Sequence, residues 1–167
     1  VAQGFRAIKM KIGLGSLKKD IDRVAAVRDA IGPDVQLMVD ANHCFNVPQA
    51  INIGRELERL GVYWFEEPTT YNNLEGYAQL ARELRTPLQL GENFYGPREL
   101  YRAVTMQAGD YVMPDMMRIG GVSGWLRSVP IAAAAGIEVS THLYPEVSAH
   151  LMRVTETAHW LEWQDWA

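Results

Sequence analysis

Val35-Gln36-Leu37-Met38-Val39-Asp40-Ala41-Asn42 is a short apolar run that closes on an acid, and Val62-Tyr63-Trp64-Phe65-Glu66-Glu67 repeats the arrangement one segment later. Between them lies Pro48 to Leu60, an amphipathic stretch of helical length followed by Gly61. A short apolar run bounded by turn signals reads as a strand, and a longer periodic stretch ending on glycine reads as a helix. Two such strands joined by a helix make a parallel βαβ unit, because antiparallel neighbours would need only a hairpin.

The alternation continues in both directions. Strands are expected at Arg6 to Ile12, Val35 to Asn42, Val62 to Glu67, Pro87 to Glu92, Tyr111 to Asp115, Ile137 to His142 and His159 to Trp163. Helices are expected over Lys18 to Ile31, Pro48 to Leu60, Leu74 to Leu84, Pro97 to Gln107 and Val122 to Ala135, with turn signals at Gly32-Pro33, Gly61, Gly109 and Gly136. An open doubly wound sheet would show the same alternation, but Gly13-Leu14-Gly15 lacks the third glycine of its usual first turn. A barrel is therefore favoured. Such a barrel has eight strands in about 250 residues. The expected fold class is α/β, a TIM-type (β/α) barrel represented by about seven of its eight strands, forming one partial domain over 1–167. The chain begins at Val1 with no initiator methionine, so an excerpt is expected, with a strand and a separate domain preceding it.

Composition narrows the class of function. With 48% hydrophobic and 22% charged residues, the 167-residue chain has an ordinary globular makeup. A net charge of -4 leaves no basic face to neutralise a nucleic-acid backbone. No run approaches the roughly 18 apolar residues of a membrane span, and no signal peptide is visible. The single cysteine, Cys44, forms no internal disulfide framework and no zinc cluster. Expected partners are a small-molecule carboxylic acid and further copies of the chain, with no nucleic acid and no membrane, in the cytoplasm.

The ionisable residues fall late in the runs, at the end where a barrel builds its active site. They are Lys9 and Lys11, Asp40, Glu66, Glu92, Asp115, His142 and Glu162. Any one of them could be a solvated loop edge. Asp40, Glu66 and Glu92, however, recur at an interval of 26 residues, about one βα unit, so successive strands present one acid each. Side chains alternate along a strand, so Lys9 shares a face with Lys11 and Asp40 with Asn42, whereas Glu67 points away from Glu66. Three converging carboxylates repel one another unless a cation lies among them. Oxygen ligands without cysteine or histidine favour a hard ion, Mg²⁺ before Mn²⁺ or Ca²⁺. Such an ion suits removal of a proton next to a carboxylate, where it offsets the charge of the enolate. Lys11 and His142 are the candidate bases, on strands before and after the three acids. Asp115 is placed to orient His142, and Glu162, in its acid form, to donate a hydrogen bond to the enolate oxygen.

Eight strings then resemble the mandelate racemase subgroup of the enolase superfamily. They are Gly4-Phe5-Arg6-Ala7 leading to Lys9-Met10-Lys11, Met38-Val39-Asp40-Ala41-Asn42, Trp64-Phe65-Glu66-Glu67-Pro68, Gly91-Glu92-Asn93, Met113-Pro114-Asp115, Ile119-Gly120-Gly121-Val122, Ser140-Thr141-His142-Leu143 and Ala158-His159-Trp160-Leu161-Glu162. The resemblance runs the whole length and implies the C-terminal barrel portion of such an enzyme, without its N-terminal capping domain. It implies Asp40, Glu66 and Glu92 as metal ligands, Lys11 and His142 as acid/base residues and Asp115 as the partner of the histidine. It also implies Lys9 as a contact of the substrate carboxylate, Asn42 as a neighbour of the substrate hydroxyl and Glu162 as the enolate hydrogen-bond donor. Ala41, His43, Phe94 and Arg118 depart from mandelate racemase itself, so aryl specificity is not carried over.

The activity expected first is Mg²⁺-dependent racemisation of a 2-hydroxy acid. The alternative is dehydration of an aldonate or aldarate by the same lysine and histidine, and a second is a metal-binding barrel without catalysis. Elsewhere, His150 and His159 are expected to be structural, and Cys44 a small packed residue. His43 could line the pocket or sit in its loop. The tryptophans are expected mostly to pack helix against barrel or to face an adjacent subunit.

Overall fold

In the computed structural model, which describes residues 3–164, parallel strands alternate with helices, and the fold class is α/β. Two compact units divide the chain, Val1–Leu88 and Gln89–Ala167.

In the first unit β1 (Ala7–Lys11), β2 (Gln36–Asp40) and β3 (Val62–Glu66) are joined by α1 (Leu17–Ile31) and α2 (Val47–Arg59), and α3 (Leu74–Glu83) follows β3. Both strand pairs are parallel. Lys11 is in register with Asp40, and Asp40 with Glu66, so three ionisable residues stand side by side at the C-terminal ends of three strands. The helices begin where local chemistry satisfies their free N–H groups. Ser16 accepts from the Lys19 amide, and Asn46 and Gln49 form a reciprocal capping box. Along α2 the residues Ala50, Ile53, Gly54 and Leu57 are buried at helical spacing. Gly54 packs against Leu84, whose Cδ1 would lie 2.5 Å from a Cβ there and would have to move aside for one. Arg28 ties α1 to the end of α2 by donating to the carbonyls of Leu60 and Gly61 at 3.1 and 2.8 Å.

The second unit holds β4 (Leu88–Leu90, which starts on the last residue of the first unit), β5 (Tyr111–Val112) and β6 (Glu138–Val139). Both of its strand pairs, β4 with β5 and β5 with β6, are parallel. Between them run α4 (Pro97–Thr105) and α5 (Gly121–Ala134), which pack on each other. Leu100, Met113, Ile119 and Trp125 are fully buried here, and the Trp125 indole N–H donates to Thr155 Oγ1 at 3.0 Å. Gly124 lets α5 start close to the preceding loop, because a Cβ would overlap the Ile119 carbonyl.

Two elements differ from expectation. The run His159 to Trp163 forms no assigned strand; one isolated bridge pairs Val139 with Ala158, and the His159 and Thr141 amides donate to Val139 O and Trp160 O. Its ladder hydrogen bonds are present, but a bridge one residue long is too short for a strand. A further helix, α6 (Pro145–Met152), follows His142. Pro145 in its first turn is the signal that marks its start.

Candidate active site

Lys11, Asp40 and Glu66 end their strands, Asn42, Glu92, Asp115 and His142 lie in the loops just after theirs, Lys9 lies inside β1, and Glu162 lies in the run that forms no strand. Lys9, Lys11, Asp40, Asn42 and Glu66 belong to the first unit; Glu92, Asp115, His142 and Glu162 belong to the second.

In the first unit the two acids are buried and paired with lysines. Asp40 is 1% exposed and Glu66 0%. Lys11 Nζ contacts Asp40 Oδ2, and Lys9 Nζ lies 2.5 Å from Glu66 Oε1. Desolvated carboxylates are held only where positive charge or several donors offset the loss of water. Glu66 also accepts the Trp64 indole N–H at 2.9 Å. Trp64 and Glu66 share one face of β3, so this tryptophan serves a candidate ligand and does not pack outward against a helix as expected. Asn42 follows β2 with left-handed backbone (φ 46°), is exposed, and its N–H donates to Asp40 Oδ1 at 2.8 Å.

Sequence parity places Glu67 away from Glu66, and the structure supplies its partner. Glu67 is buried, with His43 Nε2 at 2.5 Å from its Oε2, while His43 Nδ1 lies 3.1 Å from Thr69 O. His43 therefore joins the loops after β2 and β3. Neither role was legible in sequence, because both residues take left-handed backbone (φ 66° and 43°), which non-glycine residues seldom adopt. Cys44 is exposed, not packed as expected. Partial burial and the nearby Asp20 and Asp40 carboxylates raise its thiol pKa against a lowering backbone hydrogen bond, which disfavours a thiolate nucleophile.

In the second unit Glu92 is 7% exposed. His142 Nε2 lies 3.3 Å from its Oε2, and Arg118 Nη1 lies 3.3 Å from its Oε1. Arg118 also donates to Asn93 Oδ1 at 3.0 Å and to the Glu92 carbonyl at 3.2 Å. Sequence marked Arg118 only as a departure from mandelate racemase; its hold on Glu92 depends on the loop after β5 turning back toward the one after β4. Asp115 and His142 form an isolated parallel bridge, and His142 Nδ1 lies 2.7 Å from Asp115 Oδ2. The other oxygen, Oδ1, accepts the Met117 and Arg118 amides at 2.8 and 3.0 Å. A carboxylate so placed fixes the proton of the neutral imidazole on Nδ1 and leaves Nε2 as the reactive nitrogen.

Burial works to raise the Asp115 pKa, but the His142 hydrogen bond and the Arg118 and Met117 amides outweigh it, and the pKa is lowered. A group whose folded pKa is depressed contributes stability above its unfolded value, about 3.9, and loses it as pH falls through the folded value. Urea titrations from pH 5 downward should therefore show the wild type losing stability relative to Asp115→Asn below about pH 4.

Glu162 Oε2 accepts the Leu143 amide at 2.7 Å, and the Glu162 N–H donates to Thr141 Oγ1 at 2.9 Å. His159 is half-buried, its ring tilted at 48° to that of Tyr111 with centroids 4.7 Å apart, and burial lowers its pKa against the opposing effect of Glu138, as suits a structural histidine. His150 is exposed on α6, not packed. No helix among the described residues is long and apolar enough to cross a membrane.

Comparison with known proteins gives concordant matches. The model of the family described as Enolase C-terminal domain-like matches residues 1–167. L-talarate/galactarate dehydratase of Salmonella typhimurium is 39% identical over 163 residues, covering 98% of this chain and 41% of the relative. An enolase from the alpha proteobacterium BAL199, solved with bound magnesium, superposes with a TM-score of 0.94 at 55% identity, over 98% of this chain and 45% of that one. An enolase from Bradyrhizobium, complexed with magnesium and mandelic acid, has a TM-score of 0.96 at 41% identity, again over 98% and 45%. The chain spans about two fifths of the length of the curated relatives it matches.

Proposed function

Because the chain belongs to the Enolase C-terminal domain-like family, within the enolase superfamily and its TIM-type barrel fold, we propose that it carries the acid/base and metal-binding residues of an enzyme that removes the proton next to a substrate carboxylate. The observation that carries this is the His142–Asp115 pair. An imidazole anchored through Nδ1 at 2.7 Å, with Nε2 turned to a buried acid, is built to exchange a proton at Nε2.

Asp40, Glu66 and Glu92 are the proposed ligands of one Mg²⁺, with Mn²⁺ as a substitute. All three are buried oxygen donors, and within its own unit each draws a cationic or protonatable side chain of the chain itself, as an anionic site made for a hard cation would. The ion supplies positive charge to offset the charge that develops on the substrate carboxylate as its α-proton leaves. Lys11 and His142 are the proposed bases. Asp115 holds the His142 tautomer, Lys9 meets the substrate carboxylate and Asn42 the substrate hydroxyl.

The substrate class best supported is an acid sugar, with dehydration as the overall reaction. His142 takes the α-proton at Nε2 and, as the imidazolium, gives it to the departing β-hydroxyl. Where Lys11 takes the α-proton instead, His142 starts as the imidazolium and gives up the Nε2 proton it already holds. Water leaves, and the enol product tautomerises to a 2-keto-3-deoxy acid. Similarity to L-talarate/galactarate dehydratase favours this over the racemisation expected first from sequence. Racemisation of a 2-hydroxy acid is the second candidate, favoured by the likeness to a structure that holds mandelic acid. The full-length protein, incubated in deuterated buffer with Mg²⁺ and a panel of sugar acids and 2-hydroxy acids, separates them. A 2-keto-3-deoxy product supports dehydration, and α-exchange or inversion without a keto product supports racemisation. Absence of Mg²⁺-dependent exchange with every acid would leave the barrel without catalysis.

A further inference from the structure

His142 is followed directly by two residues in left-handed backbone, Leu143 (φ 54°) and Tyr144 (φ 49°). Neither is glycine or asparagine, and such backbone persists only where its surroundings over-determine it. Tyr144 is the N-cap of α6 and makes no side-chain capping hydrogen bond. The turn that carries the imidazole must therefore be held from elsewhere.

We propose that Glu162 is a positioning residue for His142, acting through the backbone of Leu143. Its Oε2 accepts the Leu143 N–H at 2.7 Å, its N–H donates to Thr141 Oγ1 at 2.9 Å, and the Thr141 N–H donates to Trp160 O at 3.0 Å. Segment 160–162 thus grips the residues immediately before and after His142. On the far side the Leu143 carbonyl accepts the Ser148 hydroxyl at 2.9 Å, which fastens the turn to α6. The carboxyl also lies beside the N-terminal end of α6, where a negative group is favoured. With the turn fixed, the His142 ring points where Asp115 can take Nδ1; with the turn released, a leucine in this backbone relaxes toward right-handed or extended conformations and carries the imidazole with it.

This role differs from hydrogen-bond donation to an enolate, which needs a bound substrate. It exists in the free protein and uses the carboxyl as an acceptor. Its catalytic meaning rests on His142 being a base, as proposed above, but its test reads the position of His142 without turnover, so the two can fail separately.

The test compares full-length wild type with Glu162→Gln, whose amide oxygen still accepts the Leu143 N–H, and Glu162→Leu, which removes the acceptor at similar size. Hydrogen exchange by mass spectrometry follows the segment 140–146, and crystal structures give the distance from His142 Nδ1 to Asp115 Oδ2. Glu162→Leu should speed exchange of this segment by about tenfold, as expected for one lost amide hydrogen bond, and lengthen the His142–Asp115 contact beyond about 3.5 Å. Glu162→Gln should restore both. Should Glu162→Leu fail to fold, Thr141→Val removes the other half of the grip and should move both readouts in the same direction. An unchanged His142–Asp115 contact in the variant lacking the grip, or a Gln variant as disturbed as the Leu one, overturns the proposal.

Discussion

Replacing His142 by Asn should lower kcat/KM for the true substrate by about 10²- to 10⁴-fold, the range a positioned acid/base group supplies. The structure makes a sharper companion case. In Asp115→Asn the carbonyl oxygen of the new amide can still accept the Met117 and Arg118 N–H groups, which turns its NH₂ toward His142 Nδ1. That nitrogen must then accept a hydrogen bond, so the proton moves to Nε2 and the imidazole carries the wrong tautomer to take a proton there. Asp115→Asn should therefore fall nearly as far as His142→Asn, and the double variant little further, because the pair acts as one unit. Steady-state kinetics of the three variants check this; additive losses would mean that Asp115 acts apart from His142.

The second large effect concerns the acids of the first unit. Asp40→Asn and Glu66→Gln should each weaken Mg²⁺ binding by more than the roughly 10- to 100-fold that loss of an outer-shell partner costs a metal site. Calorimetric titration of Mg²⁺ into the full-length protein measures it without any substrate. Glu67→Gln is the control. Glu67 is as buried as Glu66 but is engaged by His43, so its neutral variant should retain Mg²⁺ affinity far better than Glu66→Gln. Equal losses at 66 and 67 would mean that burial of charge, and not ligation, sets the affinity.

The elements were legible where periodicity and punctuation agree. The runs read as Val62 to Glu67, Lys18 to Ile31 and Pro48 to Leu60 are β3 (Val62–Glu66), α1 (Leu17–Ile31) and α2 (Val47–Arg59), each within one residue at its ends. Alternation along β3 also set Glu67 apart from Glu66. What sequence could not give were the features made by backbone outside the common wells. Asn42, His43, Glu67, Leu143 and Tyr144 all have positive φ, and no composition rule marks a glutamate, a leucine or a tyrosine for that region. The His43–Glu67 pair and the grip of Glu162 on Leu143 both depend on it. Glu92, Asp115 and His142 lie two or three residues beyond their strands, because β4, β5 and β6 stop earlier than their apolar runs. Their place beyond the strand ends was legible all the same. Once a strand direction is set, the loop that leaves its C-terminal end is the place where a barrel concentrates chemistry.

A crystal structure of the full-length protein with Mg²⁺ and a bound hydroxy acid tests the central claim most directly. The account predicts one ion with a carboxylate oxygen from each of Asp40, Glu66 and Glu92 at about 2.0–2.1 Å, and the α-carbon of the acid lying between Lys11 Nζ and His142 Nε2. An ion bound without those three residues, or an α-carbon that neither base can reach, would contradict it.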